Sequence, residues 1–211
     1  MNIEPSSNGS RRKFTLSTWI KRSKLGAEQM LFWSNQDGSN YLFIRFTSAD
    51  LLDFTNASGG SNTTQLITTQ VFRDPSAWMH LVFAVDTEQG TAGNRVKIYV
   101  NGTQITAFGT ATYDDEDADL SINQTSNDHY IGVQPSTNYY NGYLAETVFI
   151  DGTQYAASDF GEFDSDSPTI WKPKKVSGLT FGTNGFYLDF EASDNLGNDA
   201  NGGTDFTEVN L

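Results

Sequence analysis

The run Tyr113-Asp-Asp-Glu-Asp-Ala-Asp119 carries the densest set of carboxylates in the chain, and two kinds of chemistry use such a set. As an extended strand it would place Asp115, Asp117 and Asp119 on one face, a spacing that could serve the paired carboxyls of glycoside hydrolysis. That reaction needs one acid desolvated in an apolar cleft. The flanking Glu116 and Ala118 offer no apolar wall, so catalysis is not the expected use. As a loop, Asp114, Asp115, Asp117 and Asp119 could ligate Ca2+, a hard cation that takes about six to eight oxygens, with Asn123 or Asp128 assisting. The turn glycine of an EF-hand loop is missing, and a plain solvated acidic loop is the other reading.

The run Ser136-Thr-Asn-Tyr-Tyr-Asn141 is the candidate binding segment. Adjacent Tyr139 and Tyr140 in an extended polar segment cannot both point inward, so at least one ring is expected at the surface. With the planar amides of Asn138 and Asn141 beside them, these rings make a site for sugar: a stacking face plus hydrogen-bonding groups. Burying one ring contributes about 1.5–3 kcal/mol. A loop that packs on its own domain is the bland alternative.

The two histidines, His80 and His129, have no second histidine or cysteine at ligand spacing, so a zinc site is not indicated. No Gly-x-Ser-x-Gly elbow is present, and both histidines read as structural, His80 on the outward face of its strand. Trp19, Trp78 and Trp171 read as packing residues, whereas Trp33, beside a loop, reads either way.

These residues must be positioned by strands. In Trp78-Met-His-Leu-Val-Phe-Ala-Val-Asp86 the set Met79, Leu81, Phe83 and Val85 is wholly apolar, so that face lies on a core. Val96, Ile98 and Val100 alternate with Lys97, Tyr99 and Asn101, and Asn101-Gly102 suits a two-residue hairpin turn. Further strands are expected at 14–20, 30–33, 41–46, 51–55, 66–72, 103–108, 130–134, 143–150 and 186–190. A loop is expected at 56–63, and one helical turn at 156–161. Strands about ten residues apart, with turn residues between, build a sandwich or jelly roll.

The bulk properties agree. The 211 residues suit one large all-β domain, with fifteen Phe, nine Tyr and four Trp to fill its core. Thirteen basic against 26 acidic residues give 13 − 26 = −13, which argues against a nucleic acid or an anionic membrane as partner. No apolar run approaches membrane-spanning length. The absence of cysteine excludes a disulfide framework. Arg11, Arg12, Lys13, Lys21, Arg22 and Lys24 cluster early in the chain and read as a solvated face or a contact for a neighbour.

At this level the chain resembles laminin G-like, concanavalin A-like jelly-roll modules. The matching pieces are Phe14-Thr-Leu-Ser-Thr-Trp-Ile-Lys-Arg22, Arg73-Asp-Pro-Ser-Ala-Trp78, Arg95-Val-Lys-Ile-Tyr-Val-Asn-Gly102, Gly142-Tyr-Leu-Ala-Glu146 and Phe149-Ile-Asp-Gly152. Asp159-Phe-Gly-Glu162, Trp171-Lys-Pro-Lys-Lys175 and Gly182-Thr-Asn-Gly-Phe-Tyr-Leu-Asp-Phe190 extend the resemblance to modules of bacteriophage virion proteins. The resemblance implies an all-β antiparallel β-sandwich without catalytic activity, set in a tail fibre or on a capsid. Its implied partners are other virion proteins, copies of itself and host-surface carbohydrate. A purely cohesive decoration protein and a glycan-active enzyme, or the binding module of one, are the alternatives.

The expected organisation is a loose segment over 1–13, a sandwich over 14–152, and an arm over 153–211 that wraps back and adds a last strand. Laminin G-like modules usually open with a strand beside the final one, and only thirteen residues precede Phe14 here. The edge at 186–190 is therefore expected to be covered by the N-terminal segment or by a subunit contact.

Overall fold

Alternating apolar side chains give two antiparallel sheets in the computed structural model, which describes residues 1–125 and 127–209. In chain order the strands begin with β1 (Asn2–Ile3), β2 (Lys13–Arg22), β3 (Gln29–Asp37), β4 (Asn40–Phe46), β5 (Leu51–Ser58), β6 (Ser61–Val71) and β7 (Met79–Asp86). After a helical turn, α1 (Ala92–Arg95), come β8 (Val96–Val100), β9 (Thr103–Gln104), β10 (Phe108–Thr112), β11 (Asp128–Ile131) and β12 (Gly142–Asp151). A 3-10 turn at Ala157–Asp159 precedes β13 (Gly161–Phe163), β14 (Trp171–Pro173) and β15 (Phe186–Leu188).

One sheet runs β1-β11-β3-β4-β5-β6-β10 and the other β15-β12-β2-β7-β8-β9, with β13 and β14 forming a separate ribbon. The sheets meet face to face. Phe32 of the first stacks on Phe149 of the second at 5.9 Å, and Phe54 on Phe83 at 6.3 Å. Met79, Leu81, Phe83 and Val85 all enter this core, as the alternation requires. The architecture is an all-β sandwich of jelly-roll type. No helix among the described residues is long and apolar enough to cross a membrane.

Several details differ from the sequence expectation. The first residues are pinned: Met1 is buried, and Asn2 and Ile3 pair with Tyr130 and His129. The expected loop at 56–63 shrinks to a turn, because Gly59 and Gly60 take φ of 60° and 81° and let β5 and β6 run up to it. The expected strand 103–108 divides at Ile105. β9 stays in the six-stranded sheet, while β10 pairs with β6 in the other. The edge of β15, expected to be covered by the N-terminal segment or a subunit contact, is met by residues 199 and 200 of the chain itself. Asp199 accepts from the Tyr187 N–H at 2.8 Å, and the Ala200 N–H donates to the Tyr187 carbonyl at 2.8 Å. The chain's own last segment seals that edge.

The outward face of β7 is also not solvated. Residues from Tyr155 to Phe181 lie over Val82, Val148 and Ile150 and form a second apolar layer with Ala157 and Phe160. Every residue of β7 is therefore buried on both faces. Nor is the early basic cluster a uniformly solvated face. Arg22 is fully buried, donates to Asp50 at 3.0 Å, and lies over the Phe46 ring at 4.2 Å.

Candidate functional site

The acidic run is a loop, and the structure does not bring its aspartates together around one point. Asp114 accepts from the hydroxyls of Thr63 and Thr64 at 2.9 and 2.8 Å and from the Asn56 amide at 3.3 Å. Asp117 and Asp119 pair with Arg12 at 3.4 and 2.8 Å, and Asp115 is exposed. The candidate calcium set Asp114, Asp115, Asp117 and Asp119 is thus dispersed among cationic and hydroxyl partners. Among the described residues no group of three or more His, Asp or Glu side chains converges as a metal site. Arg11 and Arg12, read from the sequence as part of a solvated face or a contact for a neighbour, offset part of this loop's charge by pairing with Asp117 and Asp119.

The two histidines are interior. His80 lies between the rings of Trp19, at 4.9 Å, and Trp171, at 6.0 Å. The outward face expected for it is roofed by the arm. Its Nε2 stands 2.8 Å from Ser17 Oγ, a spacing that by itself resembles a base and its nucleophile. The Trp171 indole N–H, a donor only, points at Nδ1 at 3.0 Å. Nδ1 must therefore accept, Nε2 carries the proton, and that proton already points at Ser17. A base needs the reverse arrangement, so this pair does not activate the serine. His129 is equally enclosed, with Phe32 and Phe149 rings at 5.4 and 5.6 Å. Burial lowers both imidazoles to a pKa of about 3.

The segment Asn138, Tyr139, Tyr140 and Asn141 is held at both ends by backbone bonds. The Asn138 carbonyl accepts from Met30 N–H at 2.8 Å, the Tyr140 N–H donates to Gly132 at 2.8 Å, and the Asn141 carbonyl accepts from Ser23 at 2.9 Å. The four side chains divide between half-buried and exposed positions. Asn138 donates to Gln134 at 3.0 Å and lies on the side of Glu28. Tyr139 is 47% exposed, and Asn141 is exposed too. Tyr140 is half-buried against the main core, and desolvation holds its phenol well above its ordinary pKa. Its buried hydroxyl has no hydrogen-bond partner among the described residues.

Two further rings join Tyr139 at this corner. Tyr143 is 61% exposed and lines one groove with Tyr139 and Tyr140. It pairs with Lys21 on β2, while Trp78 immediately precedes Met79, the partner of Ile20 on the same strand. The outer face of the sheet thereby brings Trp78 and Tyr143 to a ring separation of 6.4 Å, tilted by 53°. Trp78, expected as a packing residue, is 43% exposed. Tyr143 was missed in the sequence, although its alternation with the inward-facing Leu144 was a usable signal.

A second aromatic surface lies on the outer face of the seven-stranded sheet, where Trp33, Tyr41 and Phe43 stand in a cross-strand row. Trp33 lies 5.2 Å from Tyr41 and 5.9 Å from Phe43, with interplanar angles of 15° and 6°. Arg45 covers Phe43 at 4.6 Å. These rings use their faces on one another and present edges to solvent. Trp33, left open by the sequence, is a packing residue. The corner formed by Trp78, Tyr139 and Tyr143 keeps ring area free, with Asn141 and Lys21 beside it to hydrogen-bond a polar ligand.

Residues 2–158 match the family model Laminin_G_3, described as the concanavalin A-like lectin/glucanases superfamily. Domain 4 of AbnA, a GH43 extracellular arabinanase from Geobacillus stearothermophilus solved with arabinotriose, is similar with a TM-score of 0.53 and 17% identity. That match covers 73% of this chain and 67% of that one. The mouse laminin alpha1 domains LG4-5 give a TM-score of 0.50 at 13% identity, over 84% of this chain and 42% of theirs. No curated protein matches the chain in sequence. At these identities the likeness is one of fold.

Proposed function

The chain belongs to the concanavalin A-like lectin/glucanases superfamily, and from that premise we propose that it is a non-catalytic carbohydrate-binding module whose ligand stacks on the corner rings. The observation that carries the reading is the pair of exposed rings, Trp78 and Tyr143, 6.4 Å apart, with exposed Tyr139 opening onto the groove that Tyr143 lines. A pyranose or furanose has an apolar face bordered by hydroxyls. It suits rings flanked by the Asn141 amide and the Lys21 ammonium. The arabinotriose in the related arabinanase domain supports a glycan ligand on this fold.

The motif resemblance to bacteriophage virion modules supports a setting on an assembled particle, in contact with other virion proteins and with copies of itself. A shallow rim site binds weakly alone. Repetition over a particle raises the effective concentration and turns such a site into firm attachment to a host-surface glycan.

The test is a glycan array probed with the folded chain, followed by titration of the best ligand. A Trp78→Ala, Tyr143→Ala double variant is expected to lose at least tenfold in affinity while keeping its melting temperature, since both side chains are largely exposed. Full binding by that variant would remove the corner from consideration. Release of reducing sugar from the bound glycan would refute the non-catalytic part of the proposal.

A further inference from the structure

Next to the corner rings lies a groove of about 760 Å³, within the range of about 300–1,000 Å³ usual for small-molecule sites. Beyond its tyrosines it is walled by Ile131, Leu144, Phe190, Leu196, Val209 and Met1, whose ammonium is engaged by the Ile131 carbonyl at 3.2 Å, and no Lys, Arg, Asp or Glu side chain lines it. Charged residues make up 18% of this chain, and the other open grooves are bordered by amides, hydroxyls or arginine. An apolar channel of this size in so polar a protein calls for an apolar occupant. Tyr139 and Tyr143 belong to both surfaces, so one ligand spanning them would place its polar part on the rings and its apolar part in the groove.

We propose that the groove receives the alkyl or acyl substituent of an amphipathic glycan whose sugar rests on Trp78 and Tyr143. This rests on the carbohydrate reading and narrows it to glycosides or acylated sugars that carry a hydrocarbon chain. Gly142 lines the groove. A Cβ there would stand 2.8 Å from the Tyr140 hydroxyl, which has no partner among the described residues.

The experiment compares matched methyl and n-octyl β-glycosides of glucose and galactose, titrated below the micelle concentration of the octyl compounds. A fully buried methylene raises affinity about fourfold, so the octyl glycosides are expected to bind at least tenfold more tightly than their methyl partners. Val209→Asp, at a side chain 48% exposed, is expected to erase that advantage, leave methyl-glycoside binding unchanged and keep the melting temperature. Trp78→Ala, at a ring outside the groove, is expected to weaken both members of each pair alike. Equal affinity of methyl and octyl glycosides for the unaltered chain would overturn the groove assignment and leave the sugar corner standing. Octyl binding undiminished in Trp78→Ala, or matched by 1-octanol alone, would also overturn it, since the groove would then act without the sugar. Failure of both glycosides to bind would overturn the two readings together.

Discussion

Trp171 and His80 are joined by a 3.0 Å hydrogen bond that only a neutral imidazole can accept. The indole has one N–H and no acceptor, so protonating Nδ1 would set two donors against each other. Through this bond and the ring contact above it, the C-terminal arm is tied to the middle of the six-stranded sheet.

Stability is expected to fall as the solution is acidified from about pH 6.5 towards pH 3. His80 and His129 are lowered by burial in the fold to about 3 from the ordinary imidazole value of about 6.5, so the unfolded chain takes up protons that the folded chain refuses. Each histidine contributes up to about 1.4 kcal/mol per pH unit across that window, and its contribution is fully present above pH 6.5. Urea unfolding of the native chain and of His80→Phe, compared at pH 7.5 and 5, checks this. The variant should show a shallower pH dependence, and parallel curves would contradict the assignment.

Trp171→Phe removes the donor but keeps most of the ring. It should cost about 1–3 kcal/mol, because His80 Nδ1 is left buried and unpaired. Trp171→Ala should cost more and should also expose the arm, seen as faster amide exchange in β13 and β14. Unchanged exchange in that ribbon would show that the arm is held elsewhere.

Asp50 is predicted to matter more than its sequence surroundings suggest. It accepts from Arg22 at 3.0 Å, Arg73 at 2.9 Å and the Gly26 N–H at 2.8 Å. Asp50→Ala leaves a fully buried guanidinium without its counter-charge and should destabilise the fold by about 3–5 kcal/mol. Arg22→Met should be milder, because Arg73 still faces the carboxylate. Denaturant midpoints of the two variants decide the order.

Gly142→Ala should disturb the corner from within. A Cβ at that position would lie 2.2 Å from the Lys21 carbonyl and 2.9 Å from the Tyr140 ring, so the start of β12 must shift. A loss of more than about 1 kcal/mol in stability, with altered tyrosine fluorescence, is expected.

Calcium at millimolar concentration is expected to leave the melting temperature unchanged, because Asp117 and Asp119 are engaged by Arg12, and Asp114 by hydroxyls. A rise of several degrees would show that the loop can rearrange around the ion.

The amino-acid order alone determined the strands whose side chains alternate strongly. The Met79 to Val85 set had to face a core, and Asn101-Gly102, with φ of 48° and 76°, had to turn. It also placed one tyrosine of the 139–140 pair at the surface, since neighbours on an extended chain point opposite ways. Only the tertiary structure decided what the outward faces meet. The arm buries His80 and the other side of β7, the terminal segment closes the edge of β15, and arginines at residues 11 and 12 pair with aspartates of a distant acidic loop. Trp78 and Tyr143 became neighbours for the same reason. Alternation is a local property set by the pleat, whereas these contacts join residues far apart in the chain through strand register and sheet order. No short window of sequence contains that information.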